Sequence, residues 1–458
     1  MGPRRTALSL AFACLLLSSC GGDAEAPRPN PVLVIGVDGL EPSIVDDLIQ
    51  AGRMPNLARL AERGVLGRLA TLDPTYSPVI WTTVATGQPM DAHGITDFLS
   101  EPEGVPFTSN CRKVPALWNI VSDHGLSVDS VGWWVSWPAE AVRGRMVASY
   151  AAAAQARIVW KPNVWESLPD QTWPPSLQEE IAPLVTWSSD REALLDEFWQ
   201  VFDRPERPMG DTESRCVNDL VWTFAGDRSF SAIGEYFLET PPLADLVLVY
   251  MAMPDVAGHR FWRYHQPEDF EYEVPAEDLE DFGDFLNRSY AEIDRRIGRL
   301  LERAPEGANV LVLSDHGMHA DPMFQDAEHA DSIGSGHHQL RPHGVLAAAG
   351  PQIKRRGNLL ADEDASILGH VLSVAPTVLR MLELPVPEHW PVVKQGHNPL
   401  DDALIDDGWR SEHPRRTAPN RDADFRPASP PRVPASGMDE RFIEFLDDLG
   451  YVDVPRRR

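Results

Sequence analysis

Three acidic residues stand just past runs of apolar residues. Asp38 follows Val32-Leu33-Val34-Ile35-Gly36-Val37, and Asp255 comes soon after Leu246-Val247-Leu248-Val249-Tyr250. Asp315 comes after Val310-Leu311-Val312-Leu313. Asp255 opens the spacing Asp255-x-x-x-His259, His316 is next to Asp315, and His337, His338 and His343 cluster downstream. Carboxylate oxygens and neutral imidazoles are the ligands that zinc takes, and manganese or iron as well. An isolated Asp after a strand is usually a turn former or helix cap, and an isolated His is usually structural. It is the whole set that points to a metal centre. A hydroxyl stands ready beside it: Tyr76-Ser77-Pro78-Val79 places Ser77 at the start of a predicted helix, with Pro78 suited to the first helical position. A helix start offers N–H groups to an anion. Ser77 can also serve as a simple N-cap, and becomes a nucleophile only where a cation lowers its pKa.

The elements that must position these groups are visible as hydrophobic patterns. Each of the three apolar runs reads as a strand buried on both faces, the signature of a parallel sheet. In open α/β sheets ligands bind outside the carboxyl ends of the strands, so the three runs aim Asp38, Asp255 and Asp315 at one edge. Residues 41–64 read as helical, with Leu57, Leu60 and Ala61 on one face and Gly64 as the C-cap. The expected fold class is α/β, a mostly parallel central sheet with helices on both faces and a largely helical insertion. The catalytic domain is expected over 31–400, with residues of about 150–240, rich in Trp, Pro and Glu, as a helical insertion or cap. Residues 401–458 are expected to be an irregular strap followed by a short docking helix carrying Phe442, Phe445, Leu446 and Leu449. The Trp-rich stretch Val131 to Glu140 reads as a buried strand with packing aromatics in preference to a substrate-stacking surface.

The N-terminus reads as an export signal. Arg4 and Arg5 precede an apolar stretch from Ala7 to Leu17, which ends in Leu17-Ser18-Ser19-Cys20. The stretch is too short to span a bilayer. It resembles a bacterial lipoprotein signal over 1–19, with Cys20 as the acylated first residue and 20–30 as a flexible tether. The expected place is the cell envelope, periplasmic or outer-surface, anchored to the membrane by lipid on Cys20. With a formal net charge of −28 over 458 residues, the chain repels nucleic-acid backbones, so nucleic-acid binding is not expected. The 43% hydrophobic content is enough for a packed core and argues against global disorder. Beyond Cys14 and Cys20, Cys111 and Cys216 remain; they can pair in an oxidising compartment, and without a CxxC they do not indicate a cysteine zinc site.

Four blocks, in order and spacing, resemble the alkaline phosphatase superfamily, and most closely its type I phosphodiesterase/nucleotide pyrophosphatase branch, over about residues 31–380. They are Val34 to Gly39; Ser77 through Thr86-Gly87 to His93-Gly94-Ile95; Asp255 to His259; and Ser314 to Met318, with Gly336-His337-His338 and Gly344 to Pro351 downstream. The resemblance implies two divalent metal ions, zinc or manganese. Asp38, Ser77, Asp315 and His316 would surround one, and Asp255, His259 and His338 the other. His338 is taken over its neighbour because Ser335-Gly336-His337-His338 fits the S-G-x-H pattern of relatives. Ser77 would take the phosphoryl group of a small phosphate ester, and metal-bound hydroxide would then hydrolyse the phosphoserine. His93 would be structural.

One departure concerns substrate binding. Relatives that act on nucleotides place an Asn three residues after H-G-I, and here Phe98 stands there beside Asp97. Asn110, Arg112 or Lys113 could take the role of that Asn. The expected function is an exported, metal-dependent hydrolase of phosphate esters, diester or monoester. The alternatives are another superfamily activity on phosphonate or sulfate esters, a phosphotransferase, or a non-catalytic surface lipoprotein. The sequence C-x-P-x-R is absent near Ser77, which disfavours a formylglycine sulfatase. Sequence leaves the oligomeric state open.

Overall fold

Each of the three apolar runs forms a strand in the computed structural model, which describes residues 28–100, 105–152, 169–186, 191–340, 342–362 and 365–427. In chain order the elements that build the site's frame are β1 (Val32–Val37), α1 (Pro42–Gln50), α2 (Pro55–Arg63), β2 (Val65–Ala70), α3 (Ser77–Thr86) and α4 (Leu117–Asp123). They continue with β3 (Val128–Val131), β4 (Gly144–Val147), β5 (Thr172–Trp173), α5 (Arg191–Phe202), α6 (Asp211–Glu239), β6 (Leu246–Met251), α7 (Met253–His265) and α8 (Phe285–Arg303). The rest are β7 (Asn309–Leu313), β8 (Gly344–Ala349), β9 (Gly357–Asn358), β10 (Ile367–His370) and α9 (Val374–Met381). One ten-stranded sheet runs in the order β9-β2-β8-β7-β1-β6-β3-β4-β5, with β10 also on β2. The central strands are parallel: β1 lies between β7 and β6, and β3 continues on the far side of β6. The antiparallel pairings involve β8, which lies between β7 and β2, and β5 at the edge. The mostly parallel α/β architecture expected from the sequence is the one observed.

Side chains alternate across a strand, and the sheet uses that alternation to build two cores. Leu33, Ile35, Val37, Val247, Val249, Val310 and Val312 face a layer containing α1, α2, α6, α7 and α8. Val34, Leu246, Leu248, Tyr250, Leu311 and Leu313 face the opposite layer, with α3, α4 and α9. Burial on both faces is why these strands read as unbroken apolar runs.

Several expectations need adjustment. The helix read over 41–64 is two helices, because the chain turns through Gly52 at φ +72° before Pro55 restarts it. Within the expected insertion, α6 is a core helix: Leu220, Phe224 and Ala225 sit in the same core as β6 and α7. The Asp227 carboxylate of α6 accepts the N–H groups of Ala252 and Met253 at 2.8 and 2.9 Å, capping the start of α7. β3 ends at Val131, so Trp133, Trp134 and Trp137 lie in the connection after it, all buried. The described part of the strap contains short helices, Pro399–Leu404 and Asp407–Glu412, and Thr417–Ala418 pairs with Val386–Pro387. Cys111 and Cys216 are free thiols, the second pushed up to about 12 by burial. The export signal, Cys20, most of the tether and the apolar pattern from Phe442 to Leu449 fall outside the described residues.

Candidate metal centre and nucleophile

Because β1, β6 and β7 are adjacent and parallel, their carboxyl ends share one edge. Asp38 and Asp315 leave from the ends of β1 and β7. Asp255 does not end a strand: it lies in the first turn of α7, where i, i+4 spacing puts His259 on the same face. The chain is tight here. At Gly39, φ is +73° and a Cβ would lie 2.6 Å from the Asp255 Cα, so only glycine lets these two segments approach. A Cβ on Gly36 would come 2.7 Å from the Trp81 ring of α3.

The site gathers two groups of potential ligand atoms, each within 4.8 Å: Asp38 with Asp315 and His316, and Asp255 with His316 and His338. His316 Nε2 is 3.2 Å from Asp38 Oδ1 and 3.3 Å from Asp315 Oδ2. His259 Nε2 is 3.4 Å from Asp255 Oδ1, and His338 Nε2 is 3.9 Å from the same oxygen. The two groups therefore meet at His316, whose ring stacks on His338 at 3.7 Å.

Hydrogen bonds on the outer ring nitrogens determine which lone pairs point inward. A carbonyl can only accept, so His259 Nδ1 donates to Gly336 O at 2.8 Å and His316 Nδ1 to Gly317 O at 3.0 Å. The Thr75 hydroxyl donates to the His338 carbonyl at 2.9 Å and so receives His338 Nδ1–H at 3.0 Å. In the neutral ring each Nε2 then presents a lone pair to the carboxylates. His337 is opposite: its Nδ1 accepts the N–H groups of His338 and Gln339 at 2.8 and 3.1 Å, so its proton sits on Nε2. Of these two neighbours, His338 offers the inward lone pair. Asp38 Oδ1, Asp255 Oδ1, both oxygens of Asp315 and His316 Nε2 are buried without a hydrogen bond among the described residues. Acceptor facing acceptor at these distances is repulsive unless a cation lies between them, and this donor set fits divalent metal.

The electrostatics support the neutral ring at His259 and His338 but not at His316, which burial would lower but which the Asp38 contact and the charges of Asp38 and Asp255 raise above its ordinary value. Burial, then the charge of Asp38, holds Asp255 and Asp315 well above the usual carboxylate range. Burial would raise Asp38 too, but the His316 imidazole and the Tyr250 and Trp81 donors bring it below that range. Burial lowers His259 to about 3 and His338 well below its ordinary value, keeping both rings in the neutral, ligating form.

Ser77 is buried and is itself the first residue of α3; Tyr76 occupies the cap position, so Ser77 is not the N-cap. Two contacts pin the segment over the site. Two residues before Ser77, Thr75 is bonded to His338. One turn after it, Trp81 Nε1 donates to Asp38 Oδ2 at 3.0 Å. The Ser77 hydroxyl forms no hydrogen bond among the described residues.

The other predicted residues fare differently. Arg112 is buried and committed: its guanidinium donates to Val114 O, Asn119 Oδ1 and both Glu140 oxygens, each at 2.9 Å. It forms a buried ion pair with Glu140. Lys113 is exposed, with its stem lying over Gly94, and Asn110 is buried in a short 3-10 turn; neither belongs to the two ligand groups. His343 joins neither group. His93 is buried, accepting Ile95 N–H at 3.1 Å and meeting Thr83 Oγ1 at 3.1 Å, a structural role. Phe98 packs on Tyr76 and Trp134, both at 5.8 Å. Sequence reading missed Thr75, Trp81, Tyr250 and Trp134. The i+4 spacing from Ser77 to Trp81 was a usable signal; a bond from Thr75 to a residue 263 positions away was not.

No curated protein sequence matches the chain. Among solved structures it is similar to a phosphonoacetate hydrolase from Sinorhizobium meliloti 1021, at 19% identity and a TM-score of 0.40, covering 64% of this chain and 58% of that one. It is also similar to a putative sulfatase from Bacteroides thetaiotaomicron VPI-5482, at 14% identity and 0.47, covering 81% and 75%. A third is human ectonucleotide pyrophosphatase/phosphodiesterase 5, at 12% identity and 0.45, covering 82% and 100%. The family model for type I phosphodiesterase / nucleotide pyrophosphatase matches residues 32–418, a span that holds both ligand groups and Ser77. With that match across most of its length, the chain belongs to the type I phosphodiesterase / nucleotide pyrophosphatase family.

Proposed function

We propose that the protein is an exported, lipid-anchored hydrolase of small phosphate esters that uses Ser77 as nucleophile and holds two divalent metal ions, zinc or manganese. The observation that carries the reading is the pair of ligand groups with buried, unbonded carboxylate oxygens facing imidazole lone pairs. Asp38, Asp315 and His316 would hold one ion beside Ser77, and Asp255, His259 and His338 the other. Bound ions would lower the pKa of the serine hydroxyl and stabilise charge on the leaving oxygen.

The chain's own residues do the rest. The start of α3 brings Ser77 Oγ to the site and favours an anion there. Oγ attacks phosphorus as the bond to the leaving alcohol breaks, giving a phosphoserine; water then cleaves the Oγ–P bond and returns the hydroxyl. Trp81 and Tyr250 hold Asp38 through Oδ2 and leave Oδ1 turned inward.

The test is Ser77→Ala, assayed on a panel of mono- and diesters with a sulfate ester and a phosphonate alongside. Turnover should fall by several orders of magnitude while folding and most of the metal remain, and acid quench of the parent enzyme should trap phosphate on the Ser77 peptide. Near-normal turnover in Ser77→Ala removes the nucleophile assignment. For the anchor, Cys20→Ala should free the protein from the membrane fraction or block its processing; unchanged fractionation and processing would remove the lipoprotein assignment.

A further inference from the structure

One face of α7 carries more than ligands. Asp255, His259 and Arg263 follow at steps of four residues, so they align along the same side of the helix. Arg263 is 3% exposed, and its guanidinium reaches into the loop that leads to His338. Nη1 donates to the Ala330 carbonyl, and Nη2 donates to those of Ser332 and Gly334, each at 2.5 Å. The helix grips the same loop one turn earlier: Ser335 N–H donates to the His259 carbonyl at 2.8 Å, and His259 Nδ1 donates to Gly336 O at 2.8 Å. The other contacts to this loop from α6 are looser, Thr212 Oγ1 to Asp331 O at 3.2 Å and the Cys216 thiol to Ile333 O at 3.6 Å.

We infer that Arg263 is a positioning residue: it fixes the loop of residues 330–335 so that His338 is presented to Asp255 and His259. A planar guanidinium supplies several donors in a rigid fork and can tie three carbonyls at once, which a single ammonium cannot do with the same geometry. Without it the loop can withdraw His338 from its partners, while Asp38, Asp315 and His316, which hang on β1 and β7, stay in place. Loss of Arg263 therefore weakens the group of Asp255, His259 and His338 more than the group held on β1 and β7. The inference rests on the two-metal reading above.

The experiment compares full-length protein with Arg263→Met and, as a control for loss of a half-buried arginine, Arg145→Met. Arg145 pairs with Asp129 near the far edge of the sheet. Each protein is stripped, titrated with Zn2+ against a chromophoric chelator, and checked for folding by circular dichroism at the same temperature. The unaltered chain and Arg145→Met should bind two ions. Arg263→Met should bind one with affinity close to the parent's and the second about 10–100-fold more weakly, the size expected when support of a metal-bound histidine is lost. If Arg263→Met does not fold, Arg263→Lys takes its place, with a smaller loss at the same ion. Two ions bound with parental affinity by a folded Arg263 variant, or equal weakening in Arg145→Met, would overturn the inference. An unaltered chain that takes up no zinc would overturn the two-metal reading, and the inference with it.

Discussion

Tyr250→Phe removes one atom from the heart of the site and leaves the ring that packs there. Tyr250 lies on the face of β6 that points into the aromatic layer, edge-on to Trp81 at 5.2 Å. Its hydroxyl donates to Asp38 Oδ2 at 2.5 Å and accepts Trp134 Nε1–H at 2.8 Å. Burial, then the charge of Asp38, pushes the phenol well above its ordinary value, so it stays a donor at any working pH. Phenylalanine keeps the shape and loses both bonds. A hydrogen bond to a charged group contributes about 1.5–3 kcal/mol, and a buried N–H left without an acceptor costs about 1–3 kcal/mol. Stability should therefore fall by about 2.5–6 kcal/mol in denaturant titration. Asp38, held only by Trp81, should bind zinc about 10–100-fold more weakly, with a matching fall in turnover at limiting metal. Trp134→Phe/Tyr250→Phe separates packing from positioning: it removes the stranded indole N–H, so it should regain part of the stability and none of the zinc affinity. Parental zinc affinity in folded Tyr250→Phe would refute the claim that this hydroxyl aims Asp38.

Two further predictions follow from buried charges outside the ligand groups. Arg112→Met breaks a buried pair and leaves Glu140 without its cation, beside the Trp118 and Asn119 donors, so it should cost up to about 3–5 kcal/mol in stability and leave KM nearly unchanged; a large rise in KM at parental stability would mark Arg112 as a substrate ligand. Burial raises Asp227 from 3.8 to about 7, against the pull of the N–H groups it accepts. Its folded pKa lies above its unfolded one, so its favourable contribution is full at low pH and is lost as pH rises from about 4 to about 7. Thermal melts across that window should show a steeper decline in the parent than in Asp227→Asn, and parallel curves would refute the assignment.

The frame of the site was legible in the sequence because parallel strands buried on both faces leave unbroken apolar runs, and three of those runs ended near acids. Asp38 and the Asp315-His316 pair could be read that way and the pairing of Asp255 with His259 by helical spacing, whereas Ser77 was legible only as a helix start. Other features depended on tertiary partners that local pattern could not show. Arg112, considered for phosphate, pairs with Glu140, 28 positions on. Within the stretch of about 150–240 read as a helical insertion or cap, α6 buries Leu220, Phe224 and Ala225 in the core it shares with β6 and α7.

The choice between His337 and His338 shows what kind of information was missing. Both are buried imidazoles, one residue apart, and ligand chemistry treats them alike. What separates them is which ring nitrogen carries the proton, and that depends on the partner of Nδ1: backbone N–H groups for His337, a threonine hydroxyl for His338. That hydroxyl belongs to Thr75, on the same short segment that delivers Ser77. The contact therefore ties the nucleophile's approach to the ligand group of the second ion. Asp38 is tied to that segment from the other side, through Trp81 one turn into α3. The start of α3 is thus held between the two groups of ligands, so a disturbance of either should displace Ser77, a coupling that spacing along the chain could not have disclosed.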